Sequence, residues 1–105
     1  MLHTENTAQI LVTEIKPEEA KKLLTIDGFI SAVGHESTAN LLTQILGLQV
    51  YMNRIPIKLE ENDILIVFQL MTRIPEGKIL TEEELANLEY KFFAVRYDPI
   101  KYFFY

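Results

Sequence analysis

Apolar residues fall in short blocks along the chain, and their spacing changes from block to block. Gln9-Ile10-Leu11-Val12-Thr13-Glu14-Ile15 is short and rich in β-branched residues, which predicts a strand. In Pro17-Glu18-Glu19-Ala20, proline and acids occupy a first helical turn and predict a helix to about Leu24. Residues 25–28 read as a turn, and Phe29 to Val33 as another short strand. From about Ser37 to Leu46 the apolar positions Leu41, Leu42, Ile45 and Leu46 keep helical spacing, and Gly47 stands where a left-handed cap would end the helix. Arg54 to Leu59 alternates polar and apolar residues, so it reads as a strand that Pro56 confines to an edge or an irregular position. After a turn at Glu60–Asp63, Ile64 to Leu70 is a continuous apolar run, the pattern of a strand buried on both faces. Thr72 to Lys78 is a loop, and Thr81-Glu82-Glu83-Glu84 is a capping box opening a helix from Glu82 to about Leu88. Lys91 to Tyr97 is a final strand. Residues 1–8 carry no period and read as a loose end, and residues 98–105 form an aromatic tail with Tyr102, Phe103, Phe104 and Tyr105. Helices and strands alternate, so the expected class is α/β or α+β, with a mixed β-sheet flanked by about three helices.

Composition narrows the field. The 105 residues fit a single domain spanning 1–105, and 49% hydrophobic content is enough for a packed core. No apolar run approaches the ~18 residues of a membrane span, and residues 1–5 do not open a secretion signal, so a soluble cytoplasmic domain is expected. The absence of cysteine excludes disulfides, thiolate metal sites and cysteine nucleophiles. Two histidines without a carboxylate cluster do not make a zinc site, so neither metal nor cofactor is expected. A net charge of −5 argues against coating long DNA or RNA, where many phosphates must be neutralised. It leaves room for a compact nucleotide held by a few arginines.

Several residues can carry chemistry. His35 precedes a helix N-terminus, where unpaired N–H groups and the dipole favour an anion such as phosphate. Ser37 and Thr38 can cap that helix or donate hydroxyls to the phosphate. Imidazoles titrate near neutrality, so a histidine beside a phosphodiester can protonate a leaving alkoxide. The local pattern fits a simple cap with a surface histidine as well. Arg54 opens the proline-containing strand, and Arg73 and Glu76 lie in the Pro-Gly loop after the apolar strand. An arginine there can bind phosphate through two parallel bonds, or can form an ordinary surface pair with Glu76. Gln69 would need a hydrogen-bond partner if buried: a backbone group, or an adenine edge.

Ala32-Val33-Gly34-His35-Glu36-Ser37-Thr38, Leu41-Leu42, Gly47, Asn53-Arg54 and Arg73-Ile74-Pro75-Glu76-Gly77-Lys78 together resemble the viral ring nuclease family, over about Ile10 to Val95. That family includes type III anti-CRISPR proteins of archaeal viruses and phages, with relatives in prophages and bacteria. The resemblance implies a small homodimer that binds cyclic tetra-adenylate, the second messenger of type III CRISPR systems. Without metal, such proteins cut the ring to linear di-adenylates ending in a 2′,3′-cyclic phosphate. It further implies that His35 is the general acid on the 5′-oxygen, with the substrate's own 2′-hydroxyl as nucleophile. Arg73 and Glu76 fall on catalytic positions, and Ser37, Thr38, Arg54 and Gln69 on ligand-contacting ones. A two-fold dimer would meet two equivalent bonds of a four-fold ring. The segment Met1 to Gln9 is shorter and more polar than the family's first strand, and the aromatic tail is expected to fill its place or to add an oligomer contact.

Overall fold

The computed structural model describes residues 8–74, 78–99 and 104. Strand β1 (Ala8–Ile15) is followed by helices α1 (Pro17–Ile26) and α2 (Glu36–Leu46). Strand β2 (Ile64–Leu70), helix α3 (Glu82–Ala86) and strand β3 (Tyr90–Pro99) complete the order. Ala8 already belongs to β1, and the rest of the expected N-terminal loose end lies outside the described residues. At the other end β3 runs to Pro99, two residues into the expected tail.

The three strands form one sheet in the order β1-β3-β2. Both pairings are antiparallel, from Ala8↔Pro99 to Ile15↔Phe92 on one side and from Ile64↔Arg96 to Leu70↔Tyr90 on the other. The fold is therefore α+β, with three helices as expected, and the pairing among the described strands is antiparallel rather than mixed. Among the described strands β2 stands at an edge and β3 holds the centre, and no residue of β2 is buried, so it is not the doubly buried strand its apolar run suggests. An apolar run reports that both faces of a strand are apolar; it does not report what covers them.

Residues directly opposite in an antiparallel pair share a face, and successive residues alternate. One face carries Ile15, Ile66, Phe68, Tyr90 and Phe92, and it receives the helices. Phe92 is only 2% exposed and lies within 5.3 Å of Phe68 and 5.6 Å of Tyr90, ring centre to ring centre. The core continues through Ala20 of α1, Ala39, Leu42 and Leu46 of α2, and Val50. Alanines bring the helix backbones close to the sheet, and leucines at helical spacing fill the space between.

The expected strands Phe29–Val33 and Arg54–Leu59 are not regular strands. Residues 31–33 and 51–53 do lie alongside one another, joined by one backbone bond from Asn53 N–H to the Val33 carbonyl at 2.8 Å. Side chains supply the other links: Ser31 Oγ donates to the Tyr51 carbonyl at 2.6 Å and Asn53 Nδ2 to the Ser31 carbonyl at 2.8 Å. Beyond Asn53 the chain bends, with Ile55 N–H donating back to the Asn53 carbonyl, and Pro56 has no N–H for a ladder. α3 stops at Ala86, two residues short of the expected end, because Asn87 leaves helical geometry and caps onto Glu83 and Leu85. The turn at residues 60–63 is as expected and puts Asn62 at φ 75°, a left-handed position asparagine tolerates. No helix among the described residues is long and apolar enough to cross a membrane.

Candidate functional site

The start of α2 gathers the expected phosphate-binding residues. His35 occupies the N-cap position in extended geometry (φ −129°, ψ 135°), and its carbonyl accepts the first helical bond from Ala39 N–H at 3.1 Å. Its imidazole makes no capping bond and is exposed. The first-turn N–H groups of Glu36, Ser37 and Thr38 thus point outward without a side-chain cap, and the Ser37 and Thr38 side chains are half-buried. No capping bond forms here, so these groups stay available to an anion, while the exposed His35 fits a plain surface histidine equally well. Glu36 works against an anion, placing a negative charge in the same turn.

Arg54 is delivered to this site by the segment returning from α2. That return is clamped twice. Thr43 Oγ1, inside α2, donates to the Ala39 carbonyl and accepts from Val50 N–H at 2.9 Å, so the chain doubles back against its own helix. Asn53 then ties the segment to Ser31 and Val33. The next residue, Arg54, donates Nε to the Gly34 carbonyl at 2.7 Å, one residue before the N-cap. With Nε occupied, the terminal guanidinium nitrogens remain to meet an oxyanion beside the helix. Gly34 itself is not demanded by crowding: an added Cβ would meet Arg54 Cγ at 3.8 Å, an ordinary contact, and its φ is not left-handed.

The other expected site residues make no described bond to this cluster, and one of them, Glu76, lies outside the described residues. Arg73 lies exposed three residues past β2, and no hydrogen bond or ion pair among the described residues joins it to His35 or Arg54. Gln69 is exposed, so the burial that would have forced a partner on it is absent; opposite Lys91, it projects from the sheet face turned away from the helices.

Sequence reading missed the residue that anchors the Arg73 loop. Gln44, in the third turn of α2, donates Nε2 to the Leu80 carbonyl at 2.9 Å and accepts Leu80 N–H on Oε1 at 3.4 Å. Leu80 is buried, so this amide stands in for a strand neighbour and pins the far end of the loop to the helix that carries His35. No local signal marks Gln44, because its partner is 36 residues away. Past Leu80 the capping box forms as expected: Thr81 Oγ1 accepts Glu84 N–H at 3.2 Å, and Glu84 accepts Thr81 N–H at 3.0 Å. A hydrogen bond from Lys78, and then the Thr81 backbone, hold the Glu84 carboxyl below its ordinary value of 4.5.

A shallow cleft lies elsewhere, between Pro17, Met71, Leu85, Leu88 and Tyr90. Burial, and then the charge of Glu18, raise the Tyr90 hydroxyl above its usual value of 10.0. None of the expected site residues that the structure describes lines this cleft. Among the described residues no group of three or more His, Cys, Asp or Glu side chains is placed to hold a metal ion.

Comparison with known proteins gives a consistent relationship. The chain is 50% identical over 78 residues to uncharacterized protein 26 of a Sulfolobus islandicus filamentous virus, spanning 73% of this chain and 66% of that protein. It is 34% identical over 84 residues to the uncharacterized protein YddF of Bacillus subtilis, 78% of each chain. The fold is similar to that of B116 from Sulfolobus turreted icosahedral virus, with a TM-score of 0.77 at 28% identity over 88% of this chain and 86% of that one. The pattern described as STIV B116-like matches residues 2–92, from well before β1 to the early part of β3. The chain belongs to the STIV B116-like family, which includes proteins of archaeal viruses.

Proposed function

We propose that the protein is a metal-independent ring nuclease that opens cyclic tetra-adenylate and so antagonises type III CRISPR immunity in the cytoplasm of an infected host. The observation that carries this reading is the start of α2: an uncapped helix N-terminus, an exposed imidazole at the N-cap, and a guanidinium held beside it by the Gly34 carbonyl. Such a site binds a phosphodiester and places a proton donor next to it. The ribose 2′-hydroxyl attacks phosphorus, forming the O2′–P bond as the P–O5′ bond breaks. The 2′-hydroxyl proton is released, His35 protonates the departing 5′-oxygen, and a 2′,3′-cyclic phosphate remains on the other fragment. Arg54 spreads the charge that develops on the non-bridging oxygens. Arg73 and Glu76 complete the catalytic set, Ser37, Thr38 and Gln69 contact the ligand, and a homodimer presents one site to each of two opposed bonds.

Incubation with cyclic tetra-adenylate in EDTA, followed by chromatography, should yield linear di-adenylates. His35→Ala should lower the rate by on the order of 100-fold or more while most binding is kept. An intact ring after prolonged incubation at high protein concentration sinks the nuclease reading. A second reading is sequestration of the ring without cleavage, since the segment Met1 to Gln9 is shorter and more polar than the family's first strand. Tight binding of the ring without products would select it.

A further inference from the structure

The sheet face turned away from the helices is apolar and has no cover among the described residues. By register it carries Ile10 and Val12 from β1, Leu65 and Val67 from β2, and Phe93, Val95 and Tyr97 from β3. The ion pair between Lys91 and Glu14, 3.6 Å apart, lies on this same face at its far end, in keeping with the alternation. None of these apolar residues is buried, none joins the core cluster, and Ile10 and Val12 are 62% and 61% exposed. An apolar sheet face left to water is unstable as an end state; such faces are normally closed by another layer.

The chain carries a segment of matching chemistry at the right place. Ala8 pairs with Pro99, so the residues after β3 leave from the end of the face marked by Ile10 and Tyr97. Those last six residues are Ile100-Lys101-Tyr102-Phe103-Phe104-Tyr105, and they lie beyond residue 92, where the family pattern stops. Phe104 is fully exposed, so its ring is not on the face of its own chain. We propose that the aromatic C-terminal segment of one copy lies across the bare sheet face of a second copy, and that the exchange is reciprocal. With alternate residues of an extended segment facing the sheet, two rings at about 150–250 Å² each meet a comparable area of the face. Reciprocity brings the total to roughly 1,200–2,000 Å², the size of a stable interface. The glutamate–lysine pair and Gln69 mark the polar end of the face, where apolar cover stops.

The test is photo-crosslinking in the full-length chain, with Phe104 replaced by p-benzoylphenylalanine and equal amounts of light and ¹⁵N-labelled protein mixed. Crosslinks between light and heavy peptides at residues 10–14 or 93–97 are the expected result. Val12→Glu, at an exposed position that leaves the core intact, should reduce their yield about tenfold. Crosslinks confined to chains of one isotopic label would show the segment folding onto its own face, and would overturn the proposal. So would crosslinks only to residues outside that face, or none at all.

Discussion

The clamp at Gln44 gives the most direct test of how the fold holds the candidate site. Gln44→Ala removes a short bond to the Leu80 carbonyl at 2.9 Å and a longer one from Leu80 N–H at 3.4 Å. The short bond contributes about 1 kcal/mol and the long one less, but Leu80 is only 7% exposed, so its two backbone groups would be left partly desolvated and unpaired. The expected cost is about 2 kcal/mol, which corresponds to ~30-fold faster hydrogen exchange at the Leu80 amide. If the opening is global, the melting temperature falls by about 10 °C for a domain of this size; if only residues 78–80 open, it falls by less. Gln44→Glu separates the two bonds. It keeps an acceptor for Leu80 N–H but turns a charged oxygen toward the Leu80 carbonyl, so it should be at least as damaging as alanine. Leu80 exchange at the wild-type rate in a folded Gln44→Ala protein would refute the anchoring role, as would wild-type behaviour of the Gln44→Glu variant.

Two further outcomes follow from local geometry. Glu36 adds a negative charge to the helix turn assigned to phosphate, so Glu36→Gln should tighten binding of cyclic tetra-adenylate at low salt by about 2–5-fold, corresponding to ~0.3–1 kcal/mol; weaker binding in a titration would move the phosphate away from α2. Thr81→Ala should cost about 1 kcal/mol by removing the acceptor for Glu84 N–H, read as faster exchange of the α3 amides. The same amides report pH. The Glu84 carboxyl is held below 4.5 in the folded chain, so its contribution is complete above that value and is lost as pH falls through the lowered one. Protection of α3 should be flat from neutrality to 4.5 and decline below it; a decline that begins near neutrality would contradict the assignment.

Elements whose cause is local were legible from the residues. The end of α2 at Gly47 (φ 67°), the Thr81–Glu84 box and the three sheet strands all appear close to where turn and capping chemistry put them. Strand order was not legible, because the apolar run of β2 and the shorter one of β3 do not say which takes the centre. The segments 29–33 and 54–59 were over-read: β-type composition in each was real, but the links between 31–33 and 51–53 are mostly side-chain bonds, which alternation does not encode. At the candidate site, the anion-binding turn was visible because a helix start has its own grammar. Thr43, Gln44 and Asn53, which hold that turn and the Arg73 loop in place, were invisible because each acts across 7 to 36 residues.

The central position of β3 also sets an order of events for the chain. Among the described strands β1 and β2 do not pair with each other; each pairs with β3, the last of the three to be made. A growing chain can therefore wind its helices early but has no sheet at all until Tyr90 and beyond emerge, when residue 8 must find residue 99 across nearly the whole sequence. Closing so long a loop is slow compared with local helix formation. During that interval two apolar strands wait with open edges, exposed to pairing with neighbouring chains. Placing the organising strand last makes synthesis of β3 the switch for folding: a product that stops before Tyr90 cannot form this sheet.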